Sequence, residues 1–262
     1  MKIVVIHGST RMGYTYALTK DIMNRLAAKP DMELTEFNVA ELELPFCKSC
    51  HMCFSKGEEY CPHDGILRDI RTAITGCDGV IVSGVTYIWA VNAALKNLLD
   101  HFAYWHHRPA LFGKKGMVVV TSAGYGESGV AKFVKTIIGQ WGINGALIVT
   151  QNAKQRDLQS AGKLSAKLDK AAEQFYQLIA SKKPLSPKLK NIVVHNAFRA
   201  MSLCEFSDSE CDTRYWRQEH MNKAYPVKTG PLVYAFGTMV FSVIMQSIKI
   251  IGRKEAKRPK IA

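Results

Sequence analysis

The sequence predicts a doubly wound α/β fold: a five-stranded parallel sheet in the order 2-1-3-4-5, with helices on both faces and a helical carboxyl-terminal extension. Three observations predict it. Five short runs rich in Val and Ile alternate with amphipathic helical patterns, the signature of parallel strands buried on both faces. Turns rich in Gly, Ser and Thr follow the first, third and fourth runs, at the carboxyl ends of the strands, where such folds bind ligands. The alternation then stops at Pro184. We divide the chain into residues 1–182, carrying a cysteine-rich insert at 45–65, and an extension over 183–262.

Composition bounds the class. In 262 residues, 47% apolar content suffices for a buried core. Met1 to Ile6 enters a strand-like run with no basic or long apolar leader, so a cytoplasmic protein is expected. Seven cysteines, four of them tightly grouped, do not form a secreted disulfide framework. Cys77, Cys204 and Cys211 are scattered and read as structural. The net charge of +13 suits an anionic cofactor, an acidic redox partner or an anionic membrane surface. Lys249, Arg253, Lys254, Lys257, Arg258 and Lys260 concentrate part of it in the last fourteen residues. No helix-turn-helix or other nucleic-acid module is present in the pattern, so no nucleic-acid partner is expected.

The first strand, Lys2 to His7, ends in Gly8-Ser9-Thr10-Arg11-Met12-Gly13-Tyr14-Thr15, and a helix follows through Leu18, Ile22, Met23 and Leu26. A strand, a hydroxyl-rich loop and a helix amino terminus make an anion site, because free N–H groups and the helix dipole point at one spot. Ser9, Thr10, Thr15 and Arg11 add donors for a phosphate, although the spacing is neither a P-loop nor G-x-G-x-x-G. Glu33 to Val39 is the second strand. After it comes Cys47-x2-Cys50-x2-Cys53-x7-Cys61-Pro62: four thiols within fifteen residues, suited to one iron-sulfur cluster or one zinc ion. His51 and His63 flank them, and either could replace a cysteine on a metal.

Ile66 to Ile74 reads as a helix and Gly79 to Ser83 as the third strand. Gly84-Val85-Thr86-Tyr87-Ile88-Trp89 leads to a helix through Leu95, Leu98, Leu99 and Phe102; its aromatics could flank a planar ring or pack in the core. Met117 to Thr121 is the fourth strand, followed by Ser122-Ala123-Gly124-Tyr125-Gly126-Glu127-Ser128-Gly129. This contains G-x-G-x-x-G, but the fifth strand, Ala146 to Thr150, ends in Gln151, with no carboxylate for a ribose. Lys154 and Arg156 could meet the 2′-phosphate of NADPH instead. Gln159 to Ser181 forms a long helix. His106 and His107 adjoin on a helix and so point apart, and no Ser-His-Asp or acid-base constellation stands out.

In the extension, Ile192 to Leu203 and Asp212 to Met221 read as helices, with Tyr215-Trp216 packing back on the sheet domain. Thr229 to Ile248 is a run of twenty uncharged residues, and the apolar helix at about 230–251 meets the length rule for a membrane span. Thr238, Ser242, Gln246 and Lys249 share one helical stripe, and a span would carry the basic tail across the membrane against the positive-inside tendency. A membrane-surface helix through 229–262, a helix packed in an oligomer and a true span all remain open.

The Gly8-Ser9-x-Arg11-x-Gly13-x-Thr15 loop, Tyr87 with Lys96 and Asp100 beyond it, and the Gly124 loop resemble the flavodoxin-like NAD(P)H-dependent FMN reductase superfamily over residues 1 to about 180. The four-cysteine insert resembles that of its iron-sulfur flavoprotein branch. The resemblance implies a flavin-dependent oxidoreductase. FMN phosphate would lie on Ser9, Arg11, Gly13, Tyr14 and Thr15, and the flavin ring on Thr86, Tyr87, Ile88, Trp89, Ser122, Ala123, Gly124 and Tyr125. Cys47, Cys50, Cys53 and Cys61 would ligate a [4Fe-4S] cluster, a ferredoxin-like or NAD(P)H donor would supply electrons, and the protein would be a dimer or higher oligomer. Where relatives carry Pro before the ring-contacting Tyr, this chain has Gly84-Val85-Thr86. Two other readings stand beside it: an FMN or quinone reductase whose cysteines are structural or hold zinc, and a flavin- and redox-sensing binding protein.

Overall fold

The computed structural model describes residues 1–154, 161–205, 207, 209–221, 223–227 and 229–256. The elements are β1 (Lys2–His7), α1 (Tyr14–Ala27), β2 (Glu33–Asn38), α2 (Met52–Ser55), α3 (Asp64–Gly76), β3 (Gly79–Tyr87), β4 (Ala90–Val91), α4 (Ala93–His101), α5 (Tyr104–His107), β5 (Lys115–Ser122), α6 (Glu127–Gln140) and β6 (Leu147–Asn152). The extension follows α7 (Ala161–Ala180) with α8 (Leu189–Leu203), α9 (Glu210–Arg217) and α10 (Pro231–Ala256).

The sheet runs β2-β1-β3-β5-β6 with every neighbouring pair parallel, which is the expected 2-1-3-4-5 order. Strand alternation sorts the core into two layers. Val4, Ile6, Val80, Val82, Val118 and Val120 face α3, α4 and α6, whereas Ile3, Val5, Ile81, Met117 and Val119 face α1 and α7. Each such fully buried side chain contributes about 1.5–3 kcal/mol. The burial on both faces explains why these strands read as unbroken apolar runs rather than alternating ones.

Several boundaries differ from expectation, and three of them have a clear local reason. The third strand continues past Ser83 to Tyr87, because Thr86 and Tyr87 pair antiparallel with Val91 and Ala90 in a small hairpin. That hairpin adds β4, a sixth strand that the sequence reading does not contain. The helix expected at Asp212 starts at Glu210, since the Ser209 hydroxyl caps the backbone N–H of Asp212 at 3.2 Å. It ends at Arg217, not Met221, where Gln218 adopts an extended conformation.

The extension packs on the sheet domain. Trp216 is fully buried, its ring edge-on to His195 at 4.7 Å, and the Tyr215 hydroxyl donates to the Pro109 carbonyl. Asn191 bridges α8 to Gly139 and Asn144, and Asn196 donates to Ala224 O at 2.8 Å. α10 lies along α8, with Gly237 tight against Ala224 and the Arg199 guanidinium 4.0 Å over the Phe241 ring. Its segment Pro231–Ile251 is long and apolar enough to cross a membrane, yet only 6% of that window is buried. The polar stripe expected from Thr238, Ser242, Gln246 and Lys249 is exposed, and so is an apolar one of Leu232, Met239, Val243 and Ile250. Arg156, Lys257, Arg258 and Lys260 lie outside the described residues.

Candidate functional site

Three loops at the carboxyl ends of β1, β3 and β5 form the first part of the site. The β1 loop is pinned at its start: Gly8 N donates to Ser83 O at 2.9 Å, and Asn92 Nδ2 donates to Gly8 O at 2.6 Å. A Cβ on Gly8 would sit 2.5 Å from Ser83 O and 2.7 Å from Leu95, so only glycine fits there. Ser9 is buried and its hydroxyl donates to Arg11 O at 3.0 Å, closing the loop with the Gly13 N to Arg11 O bond. Arg11 is exposed. α1 begins at Tyr14 after Gly13, with no side-chain cap and no acidic residue in its first turn. The amino terminus of a helix presents backbone N–H groups to the loop before it, and its dipole favours an anion there. Thr15 is buried and its hydroxyl bonds Thr121 Oγ1 at 2.6 Å, tying α1 to β5.

The other two loops form an aromatic rim. Ile88 and Trp89 both have positive φ, 47° and 61°, the two-residue turn that matches strand twist in a tight hairpin. A β-branched residue is strained in that region, and strain of this kind gathers at functional sites. Both are exposed, as are Tyr87, Ala123 and Tyr125. Trp89 lies across the third loop, its ring atoms 3.2 Å from where a Cβ of Gly126 would be; Gly126 has φ 96°. Asn152 donates to Gly124 O, and the Ser122 hydroxyl donates to Glu127 at 2.6 Å. Thr86 Oγ1 is buried with no partner among the described residues. Lys154 donates its backbone N–H to Asn152 Oδ1 at 2.9 Å.

These residues are compatible with an FMN: a helix amino terminus and hydroxyls would suit its phosphate, and exposed aromatics with the unpartnered Thr86 hydroxyl would suit its ring. Sequence reasoning missed Asn92, Thr121, Glu127 and Asn152, which hold the loops in place. An Asn at the end of a strand, before a helix or loop, is the signal that Asn92 and Asn152 leave; Thr121 and Glu127 leave none.

The second part is the cysteine segment. Asn97 on α4 pins its entry, accepting from Cys47 N at 3.1 Å and donating to Leu44 O and Pro45 O. Ser49 and His51 have φ of 49° and 59°, reversing the chain between thiols. As a result Cys47, Cys50, Cys53 and Cys61 all line one cavity of about 400 Å³, with His63, Asp100 and His101 on its wall. All seven cysteines are free thiols. Burial, reinforced by Cys61, pushes the Cys53 thiol up to about 11, while Arg108 opposes this; burial also raises Cys61. Four thiolates in such a place need added positive charge, which a metal centre supplies. Among the described residues no three Cys, His, Asp or Glu side chains close on a single point as one ion requires.

Hydrogen bonds fix what surrounds the thiols. His101 Nδ1 donates to Asn97 O at 2.8 Å, so neutral His101 accepts at Nε2 from His63 Nδ1, 2.9 Å away. Burial, then His101, lowers the His63 pKa. Arg108 is buried and joins three parts of the chain: it donates to Cys53 O at 2.6 Å, to Glu58 at 3.0 Å and to Asp212 on α9. α4 links the two parts of the site. Its amino end, at Asn92, supports the β1 loop, and its carboxyl end, at Asn97 and His101, supports the cysteine cavity, about 13 Å away at 1.5 Å per residue. Of the scattered cysteines, Cys77 is buried in the core: burial pushes it up to about 11, and it donates to Ile74 O.

The fold and these loops define a flavodoxin-like α/β reductase built around a flavin. The model of the NADPH-dependent FMN reductase family matches residues 1–154, and the chain belongs to that family. It is 27% identical over 192 residues to an iron-sulfur flavoprotein of Archaeoglobus fulgidus, covering 71% of this chain and 86% of the relative. An iron-sulfur flavoprotein of Clostridioides difficile is 28% identical over 207 residues, covering 75% and 88%. In fold it is similar to an NADH:FMN oxidoreductase in apo form, TM-score 0.51 at 19% identity over 72% of this chain and 92% of that one. An azoreductase from Bacillus anthracis has TM-score 0.54 at 15% identity, covering 67% and 99%. The protein is thus a flavin-dependent oxidoreductase.

Proposed function

We propose that this oxidoreductase binds FMN on the loops of Ser9 to Thr15, Thr86 to Trp89 and Ser122 to Tyr125, and a [4Fe-4S] cluster on Cys47, Cys50, Cys53 and Cys61. It passes electrons between a ferredoxin-like or NAD(P)H donor and an acceptor. The observation that carries this reading is the four thiols around one cavity at the far end of the helix that holds the flavin loop. Bound there, the flavin exchanges one or two electrons and the cluster one. The chain's own residues supply position. The α1 amides and Arg11 hold the phosphate, Trp89 and Tyr125 shield the ring from water, and Arg108 anchors the Cys53 turn. A zinc ion would need the thiols drawn to about 2.3 Å from one centre; thiols spread around a cavity suit a larger centre.

Two features support further parts of the reading. The exposed rim of Met12, Ile88, Trp89 and Tyr125 supports a homo-oligomer in which a second copy would cover it. The outward apolar stripe of α10, followed in sequence by the basic tail, supports contact with an anionic membrane surface at the cytoplasmic face. The test of the main claim is anaerobic titration of the purified protein with NADPH or reduced ferredoxin. The expected result is bleaching of both the flavin bands and a broad iron-sulfur shoulder. Bleaching of a flavin spectrum with no such shoulder favours the reductase without a cluster.

A further inference from the structure

A second cavity, of about 450 Å³, lies between the cysteine segment and the extension. Phe54 and Phe198 form its apolar walls, Met201 and Ile248 its outer edge, and His107 and Asp212 its polar side. The His107 ring sits between the two phenylalanines, with centroids 4.5 Å from Phe54 and 4.4 Å from Phe198. His107 Nδ1 donates to Asp212 Oδ2 at 2.8 Å, and Asp212, with 3% of its side chain exposed, is held in turn by Arg108. This fixes the imidazole, and among the described residues Nε2 has no hydrogen-bond partner. His51 and Phe54 line both this cavity and the one ringed by the thiols, so the two are separated by the thickness of those side chains.

We infer that this cavity binds a lipophilic quinone, the electron acceptor of the enzyme. Four requirements meet in that class of molecule. Its volume and aromatic walls suit a flat ring of one or two rings, within the range of small-molecule pockets. Its polar side carries the Asp212 carboxylate, with no lysine or arginine among the described lining residues, which disfavours an anionic ligand. With Nδ1–H engaged by Asp212, Nε2 is placed to accept from a quinol O–H. Its outer edge is Ile248 on α10, whose outward stripe of Leu232, Met239, Val243 and Ile250 gives an apolar approach. The reaction balances as one reduced nicotinamide, one proton and one quinone giving oxidised nicotinamide and quinol: the hydride supplies two electrons and one proton, solvent supplies the second proton, and both carbonyls become O–H groups. The path of the electrons past the thiols rests on the cluster reading above; the binding site does not.

Calorimetric titration of the full-length protein, as purified, with 2-methylnaphthoquinone and with a decyl-substituted benzoquinone tests the site. The expected result is saturable binding of one quinone per chain, weakened at least about tenfold by Met201→Trp, which fills the cavity, and by His107→Phe, which removes the nitrogen. Trp89→Ala, on the flavin rim, should leave the affinity unchanged. Met201 is half exposed, so its replacement is accommodated by the fold. A photoreactive quinone provides a readout independent of the variants and should label peptides from α8 or α10. Wild-type affinity in Met201→Trp, or binding lost with Trp89→Ala together with labelling of the flavin loops, would overturn the inference by assigning quinone to the flavin face. Iron content, measured on the same samples, separates failure of this inference from failure of the cluster reading.

Discussion

Arg108→Met tests the joint between the cysteine segment and the extension. The guanidinium is 8% exposed and faces Asp212, whose side chain is 3% exposed. Removing it leaves that carboxylate buried with, among the described residues, only His107 as a side-chain partner. Breaking a buried pair from one side costs about 3–5 kcal/mol, because the remaining charge is uncompensated. Glu58 keeps 34% of its side chain exposed and can turn to water, so its loss adds little. The lost hydrogen bond to Cys53 O adds about 1 kcal/mol. The sum, about 4–6 kcal/mol, is a large share of the 5–15 kcal/mol typical of a folded domain, roughly. Guanidinium denaturation of holoprotein at neutral pH measures it as a drop in midpoint. The double variant Arg108→Met/Asp212→Leu removes both charges and should recover all but about 1–2 kcal/mol. A single-variant loss under about 1 kcal/mol, or a double variant costing the sum of the singles, would refute the reasoning.

Further outcomes follow from other residues. Cys50→Ser or Cys53→Ser should lose iron and keep FMN, as read by metal and flavin content of the purified variants; loss of both together would deny that the two parts of the site are separate. Gly8→Ala forces a methyl group to 2.5 Å from Ser83 O and should strip FMN on gel filtration; retention of FMN at wild-type affinity would contradict the loop geometry. Burial pushes His195 down to about 3, so the folded state holds it neutral while the unfolded chain takes up a proton below 6.5. Stability should therefore be level above pH 6.5 and fall as pH drops toward 3, by up to about 1.4 kcal/mol per unit, and His195→Gln should flatten that slope. Leu232→Glu/Val243→Glu on the outward stripe of α10 should abolish flotation with anionic vesicles; unchanged flotation would remove α10 from the membrane contact.

The sheet was legible because strands buried on both faces need unbroken apolar runs, and five such runs separated by helical patterns admit few arrangements. The loops were legible for the same reason: a doubly wound fold gathers Ser9, Thr86 and Ser122 at one sheet edge. The turn at Ile88-Trp89 was not, because a positive-φ pair normally announces itself by Asn or Gly, and here tertiary packing of Trp89 on Gly126 holds two residues against their preference. The Arg108–Asp212 pair spans 104 positions and leaves no local pattern, although it joins the thiols to the extension. Composition made the apolar character of α10 plain. Only packing on α8 tells which of its faces is covered and which is bare.

The central claim, a redox cluster on the four thiols beside the flavin, is tested most directly by iron, acid-labile sulfide, zinc and FMN quantified on anaerobically purified protein, with an EPR spectrum after reduction. The account predicts a brown protein with about four irons, about four sulfides and about one FMN per chain, and a signal from a reduced cluster. A colourless or merely yellow preparation holding about one zinc per chain and no EPR signal would contradict it.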